Sequence, residues 1–145
     1  MKKYINLVLV ILFANHSVYS QKSYSQIIGS WRYMGFDNKE TESIECPDLI
    51  VFNKDGKYFI FNECYGKKIE NPLVERGIWE YYSNEEIIIL KNRQFATNYA
   101  YHNTNKVLKL YLKGSTKKHL KICYNKGKCN KEKYEKVKTT SNLSP

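Results

Sequence analysis

Helical periodicity is almost missing from this sequence, and after residue 20 there is no long hydrophobic run. No window of a dozen residues in that part repeats apolar side chains at the spacing of an amphipathic helix. Short segments rich in Ile, Val, Tyr, Phe and Trp stand there instead, separated by clusters of Gly, Asn, Asp, Ser and Lys. The missing periodicity argues against a helical fold, and the short segments predict an all-β domain.

The chain also lacks the common catalytic motifs. It contains no G-x-S-x-G, no H-E-x-x-H and no glycine loop that would hold a phosphate. The densest carboxylates lie in residues 40–45 and at Glu85 and Glu86, in polar, turn-like segments where solvated side chains are expected rather than an acid and base pair. His102 is interpreted as a surface residue. We therefore predict that the protein is not an enzyme and uses no cofactor.

Cysteine is scarce, with four residues at Cys46, Cys64, Cys123 and Cys129. Neither close pair has the C-x-x-C spacing and the histidines stand alone, so we predict no metal site. An even set of cysteines in an exported chain predicts two disulfides, for which three connectivities exist. The turn-like segments between the close pairs favour Cys46–Cys64 and Cys123–Cys129.

The N-terminal segment, residues 1–20, has the order of a secretory signal. Lys2 and Lys3 form a basic start, residues 5–14 are almost entirely apolar, and residues 18–20 provide small residues at both ends of a cleavage site. The apolar run is too short to span a membrane. The segment predicts cleavage after residue 20 and export to the periplasm or the medium.

The apolar segments predict eight or nine strands. They are Trp31–Phe36, Leu49–Phe52, Tyr58–Asn62, Gly77–Tyr82, Glu86–Leu90, Phe95–His102, Val107–Lys113, His119–Cys123 and Lys131–Val137. Short polar connections between successive segments indicate antiparallel neighbours, and hence a meander that closes into a small barrel. We expect one domain over residues 21–138, with a short helical lid or a loose arm at residues 21–26, and a flexible tail over residues 139–145.

Both tryptophans of the chain follow a glycine by two positions, in Gly29-Ser30-Trp31 and in Gly77-Ile78-Trp79. Two residues at this spacing share one face of a strand. We expect the ring to lie on the core side, while the missing Cβ of the glycine lets a neighbouring backbone or ring approach closely. Gly29, Trp31 and Gly77 are therefore predicted to be structural residues that close the barrel.

Side-chain alternation predicts which further aromatic rings face the interior. The pairs that share a face are Trp31 with Tyr33, Trp79 with Tyr81, and Tyr99 with Tyr101. A barrel of about eight strands is either filled by its own side chains or holds one small ligand. For the second case the candidate ligand-binding residues are Tyr33, Trp79, Tyr81, Tyr99 and Tyr101. Their flat rings suit stacking on a ligand, although tyrosine also packs well in strands without any ligand.

The positive charge is concentrated at one end of the chain. Residues 106–145 contain 12 lysines and 2 glutamates, whereas residues 21–105 contain 10 basic and 12 acidic residues. The three arginines all precede residue 106, and lysine is a hydrated point charge rather than a bidentate reader of phosphate. This favours loose attraction to an anionic envelope polymer or to lipid headgroups. Nucleic acid is a disfavoured partner because the chain is predicted to be exported.

Taken in order, the export signal, Gly29-Ser30-Trp31, the segment Cys46–Phe52, Asp55-Gly56-Lys57-Tyr58, Cys64 and Gly77-Ile78-Trp79 resemble the short lipocalin-like proteins exported by Bacteroidetes-type bacteria. The resemblance covers about residues 27–137. It implies a compact antiparallel barrel with an internal ligand site, in which Trp31 closes the base. The chain departs from full-length lipocalins because it is shorter, has no clear outer helix and shows no arginine on a late strand.

Two functions are compatible with these features. The first is an exported, non-enzymatic protein that binds a small hydrophobic or aromatic ligand in the barrel. The second is an envelope interaction or inhibitor module with a filled barrel, which binds a protein or an anionic polymer through its loops and its lysine-rich face. The sequence leaves the ligand and the oligomeric state open.

Overall fold

The computed structural model describes residues 24–36, 47–62, 73–97 and 100–138, and most of these residues lie in strands. The nine strands are β1 (Gly29–Phe36), β2 (Asp48–Phe52), β3 (Lys57–Asn62), β4 (Leu73–Tyr82), β5 (Ile87–Ala96), β6 (Tyr101–Thr104), β7 (Leu108–Ser115), β8 (His119–Cys123) and β9 (Glu132–Val137). The expectation of an all-β chain with eight or nine strands is confirmed.

Eight of these strands close into an antiparallel barrel. Their order around the barrel is β4-β3-β2-β1-β9-β8-β7-β5, and β4 pairs with β5 to complete the circle. β6 is an additional strand, because β7 pairs with Ile87–Leu90 in the first half of β5 whereas β6 pairs with Arg93–Ala96 in the second half. Closure pairs both edges of the sheet, which removes the unpaired backbone groups of an open edge. The result is the small lipocalin-like barrel that the sequence predicts.

One strand prediction is wrong. The segment Phe95–His102 is not a single strand, since Phe95 belongs to β5 and His102 to β6, directly opposite each other in a hairpin. The chain reverses where the backbone N–H of Thr97 donates to the carbonyl oxygen of Ala100, and the N–H of Ala100 donates back to the Thr97 hydroxyl. A threonine hydroxyl that stabilises a turn in this way leaves no glycine or proline signal in the sequence.

The two tryptophans close one end of the barrel, as predicted. Trp31 is fully buried and its Nε1 donates to the carbonyl oxygen of Ile27 at 2.7 Å, while Nε1 of Trp79 donates to the carbonyl oxygen of Asn53 at 2.9 Å. A helical turn at residues 24–27 lies over this end, and its Tyr24 ring stacks on Trp79 with 5.0 Å between the centroids. Of the segment 21–26, for which we expected a helical lid or a loose arm, residues 24–26 belong to this helical turn, and residues 21–23 lie outside the described residues.

A lysine on the last strand completes the closed end. Nζ of Lys136 lies 5.0 Å from the centroid of the Trp31 ring and donates to the carbonyl oxygen of Ile28 at 2.8 Å. The Lys136 side chain also runs across Gly29, where a Cβ would lie 2.6 Å from its Cε. A neighbour does approach this glycine closely, but it is the Lys136 side chain and not the backbone or ring that we expected. The cation of Lys136 also makes a cation–π contact with Trp31.

The disulfide Cys123–Cys129 is present and ties the end of β8 to the segment before β9. Cys46, Cys64, the signal at residues 1–20 and the tail at residues 139–145 lie outside the described residues. In the described part of the chain, no helix combines the length and the hydropathy that crossing a membrane requires.

Candidate functional site

Burial inside the barrel changes from one end to the other. The fully buried side chains gather around the two tryptophans, with Phe52, Ile88 and Leu90 among them. Towards the opposite end, where β1, β3 and β5 finish, buried side chains such as Glu75 and Tyr134 lie beside apolar side chains that are only half-buried, and we call this region the mouth half. The half-buried apolar side chains of the mouth half are Tyr33 on β1, Ile60 on β3, Phe95 on β5 and Leu108 on β7.

A buried ion pair lies in this mouth half. Nε and Nη2 of Arg93 donate to the two carboxylate oxygens of Glu75 at 2.6 Å and 3.1 Å, and the hydroxyl of Tyr58 donates to the same carboxylate. Only 13% of the Arg93 side chain and 7% of the Glu75 side chain are exposed. The three residues, which we call the mouth triad, come from the neighbouring strands β3, β4 and β5. A two-bond contact of this kind fixes both the position and the direction of the guanidinium.

Two local features of the backbone place the mouth triad. The register between β4 and β5 shifts between Arg76 and Ile78, opposite Asn92, whose φ of 49° is positive. In a regular strand, Arg93 would face outward, because it follows the inward Leu90 by an odd number of positions. The bulge adds one residue to β5 and so turns Arg93 inward. On β4, Gly77 makes room for the Tyr58 ring, because a Cβ there would lie 2.7 Å from Cε1 of Tyr58.

The charges of the mouth triad cancel. Burial and the hydrogen bond to Glu75 hold the pKa of Tyr58 well above its usual value, so this hydroxyl stays protonated and keeps donating. The hydrogen bond to Glu75 raises the pKa of Arg93, which remains a cation. Arg93 also lies over the ring of Phe95, with Cζ 4.9 Å from the centroid. The site is thus polar but neutral in sum, and one of its walls is aromatic.

The other side of the mouth half carries tyrosines near acidic groups. The ring of Tyr33 lies 5.4 Å from the ring of Tyr134, whose hydroxyl donates to Glu132 at 2.8 Å. Burial, and then the charges of Glu132 and Asp48, raise the pKa of Tyr33. The mouth half therefore combines an aromatic lining with two further carboxylates.

The five ligand-binding residues predicted from the sequence do not form one site. Tyr33 lies in the mouth half, whereas Trp79 is packed in the closed end and Tyr81 lies half-buried against the core. The inward placement of Tyr101 is wrong, since it is 39% exposed on β6, where the guanidinium of Arg76 lies 4.1 Å from its ring. Because the chain reverses at Thr97, the alternation of β5 does not continue into β6, and the Tyr101 side chain faces outward. Tyr99 lies outside the described residues.

Sequence reasoning missed the mouth triad. Glu75 lies two positions before Gly77 and four before Trp79, so alternation along β4 places all three on the same face. The sequence therefore contained a signal for Glu75, a carboxylate on the core face of a strand. Arg93 carried no such signal, because its orientation depends on the bulge.

Among residues 24–36, 47–62, 73–97 and 100–138, no three His, Cys, Asp or Glu side chains come together as a group that could hold a metal ion. The guanidinium of Arg93 donates to both oxygens of Glu75, the one carboxylate of the triad. The arrangement is suited to hydrogen bonding and to stacking. Compared with known proteins, the chain matches no family model and no curated protein.

Proposed function

We propose that this protein is an exported, non-enzymatic binding protein that holds a small hydrophobic or aromatic ligand in the mouth half of its lipocalin-like barrel. The observation that carries the proposal is the group of half-buried apolar side chains in the mouth half. The closed end is filled by Trp31, Trp79 and their neighbours, while the mouth half contains apolar side chains that are only half-buried, namely Tyr33, Ile60, Phe95 and Leu108. Ligand sites are commonly concave, mostly apolar and supplied with few polar groups, and the mouth half has this composition.

The size of the barrel supports this proposal. A barrel of about eight strands has an interior that either is filled by side chains or holds one small ligand. Tyr33 and Phe95 offer rings for stacking, and Ile60 and Leu108 offer aliphatic surface. The aromatic lining favours flat ligands over flexible chains.

Native mass spectrometry of protein purified from its own host tests for a bound ligand, and titration with the fluorescent probe N-phenylnaphthylamine tests the site. We expect Ile60→Trp, which fills the mouth half, to weaken probe binding about tenfold, or roughly 1.4 kcal/mol. The matched control is Ile78→Trp on the outer face of β4, where Ile78 is exposed. Equal probe affinity in both variants, or the absence of both an adduct and probe binding in the wild-type protein, contradicts the proposal.

A specific observation favours a second candidate, an anionic envelope polymer bound on the outer face. Lys121 on β8 lies directly opposite Lys133 on β9. Both lysines lie on the outer face of the barrel, and a concentration of positive charge on one face supports attraction of an anionic partner. Lys109 and Lys113 extend this charge along β7.

Retention on immobilised dextran sulfate at increasing salt tests this second candidate. We expect Lys121→Glu/Lys133→Glu to elute at much lower salt than the wild-type protein, since each lost contact removes an attraction that salt also screens. Lys54→Glu/Lys57→Glu, on the hairpin between β2 and β3, makes the same charge change elsewhere. If both variants elute together, the face formed by β7, β8 and β9 has no special role.

A further inference from the structure

We infer that the mouth triad selects a neutral ligand that presents a hydrogen-bond acceptor, such as a ketone, amide or ester carbonyl, to the guanidinium of Arg93. This inference rests on the proposed function and names the class of ligand. Its basis is the geometry of Arg93, the charges around it and its position below the mouth.

Arg93 has donors beyond those that bind Glu75. A guanidinium carries five N–H groups in a planar fork. Glu75 takes one from Nε and one from Nη2, and the Tyr58 hydroxyl also lies within hydrogen-bonding reach of Arg93. This side-on contact leaves the edge formed by Nη1 and Nη2 pointing in another direction. With 13% of its side chain exposed, Arg93 is within reach of a group that enters from the mouth, and the contact with Glu75 keeps its fork rigid.

The surrounding charges disfavour an anion at this place. Glu75 already neutralises Arg93, and Glu132 and Asp48 add negative charge close enough to raise the pKa of Tyr33. An incoming carboxylate or sulfonate would approach these three acids together with the cation of Arg93, which Glu75 already neutralises. A carbonyl oxygen accepts from Arg93 without bringing a charge, so it gains the hydrogen bond and avoids the repulsion.

The lining determines the body of the ligand. Phe95 lies under the guanidinium on one side of the mouth half, and Tyr33 lies against Tyr134 on the other. A flat ring that enters between them brings a carbonyl substituent towards Arg93. The ligand class is therefore a flat, neutral molecule that carries a carbonyl group.

Three related fluorescent probes test this inference. Prodan is a dimethylaminonaphthalene with a ketone, dimethylaminonaphthalene itself lacks the ketone, and dimethylaminonaphthalene sulfonate carries an anion in its place. We expect prodan to bind the wild-type protein about tenfold more tightly than the probe without a head group, the factor for one hydrogen bond to a charged donor. The sulfonate should bind most weakly of the three.

Variants of the mouth triad connect this selectivity to its residues. Glu75→Leu/Arg93→Met replaces the ion pair by apolar side chains, an exchange that buried pairs commonly tolerate, and it should abolish the advantage of prodan over the probe without a head group. Glu75→Gln alone leaves the cation of Arg93 uncancelled, so the sulfonate should gain about tenfold. The control Glu80→Leu/Lys91→Met removes an ion pair from the outer face of the same two strands and should change none of the three affinities.

The outcomes separate this inference from the proposed function. If the three probes bind and Ile60→Trp weakens them, but prodan has no advantage or the double variant retains it, the ligand class is wrong while the site stands. The same holds if the sulfonate binds most tightly to the wild-type protein. If none of the probes binds, both the inference and the proposed function are overturned.

Discussion

Arg93 holds both carboxylate oxygens of Glu75 from the neighbouring strand, at 2.6 Å and 3.1 Å, inside the barrel. The same two strands carry a second ion pair, Lys91 with Glu80 at 2.6 Å, on the outer face. The inner side chains are 13% and 7% exposed, and the outer ones 37% and 42%. One pair of strands thus offers the same chemistry in two environments, which makes the effect of burial measurable within one protein.

The inner pair should be sensitive to the loss of one partner. We expect Arg93→Met to lower the free energy of unfolding by about 3 kcal/mol, because it leaves the Glu75 carboxylate buried without its cation. Glu75→Leu/Arg93→Met should recover most of this loss, and Lys91→Met on the outer face should have little effect. Urea unfolding of the four proteins measures these differences, and equal losses for Arg93→Met and Lys91→Met would refute the assignment.

Gly77 should not tolerate a side chain. A Cβ at this position would lie 2.6 Å from the carbonyl oxygen of Lys91 and 2.7 Å from the ring of Tyr58. Since the first contact is with backbone, we expect Gly77→Ala to cost about 1–3 kcal/mol through overpacking. Gly114→Ala on β7 is the matched control, because a Cβ there would meet nothing within 4 Å. Thermal unfolding of both variants tests this prediction. Similar melting temperatures for Gly77→Ala and Gly114→Ala would count against close packing at Gly77.

The disulfide Cys123–Cys129 closes a short loop, with a sequence separation of 6. A disulfide that closes a loop of this length removes only a modest part of the conformational entropy of the unfolded chain. We therefore expect Cys123→Ala/Cys129→Ala to lower the free energy of unfolding by about 2 kcal/mol. Denaturant unfolding of the variant and the wild-type protein without reductant gives this difference. Free thiols at these two positions in protein purified from the envelope would contradict the predicted oxidising compartment.

Stability should fall at alkaline pH. Burial is the first cause that raises the pKa of Tyr134 above its ordinary value of 10.0, followed by the charges of Tyr124 and Glu132. The contribution of Tyr134 is therefore complete below the unfolded-state pKa of about 10. It is lost as the pH rises from there towards the folded-state pKa, because the unfolded chain releases the proton first.

The variant Tyr134→Phe isolates this effect. It loses the hydrogen bond to Glu132 at every pH, but its thermal midpoint should decline less steeply above pH 10 than that of the wild-type protein. If the thermal midpoints of the variant and the wild-type protein fall equally steeply above pH 10, the ionisation of Tyr134 is not the cause of the alkaline loss of stability.

Much of the fold could be predicted from short-range patterns. Alternation and turn residues predicted the β-class, the strand number and closure into a barrel, because each pattern reflects local backbone preference and burial. The spacing of Gly29 and Trp31 predicted a ring on the core side, which is confirmed. The close approach of backbone or ring that we expected at the glycines is found at Gly77, whereas a lysine side chain approaches Gly29. The short span between Cys123 and Cys129 predicted their disulfide.

The site was less predictable, since side-chain direction depends on irregularities that many residues share. Tyr101 was expected inside because alternation was continued through Thr97, where the chain in fact turns. Arg93 was not singled out because the bulge at Asn92 changes the parity of β5. In both cases a local irregularity, a turn or a bulge, changed which face the next residues of the strand occupy.

The sequence by itself determined that the chain forms strands, that these strands meet as antiparallel neighbours, and that tryptophans close one end. Each of these properties follows from alternation, turn chemistry and ring size, which act over a few residues. Only the tertiary structure decided that Tyr58, Glu75 and Arg93 meet inside the mouth half. Their meeting requires the register of three strands and one bulge, and register is set by packing around the whole barrel rather than by any single segment.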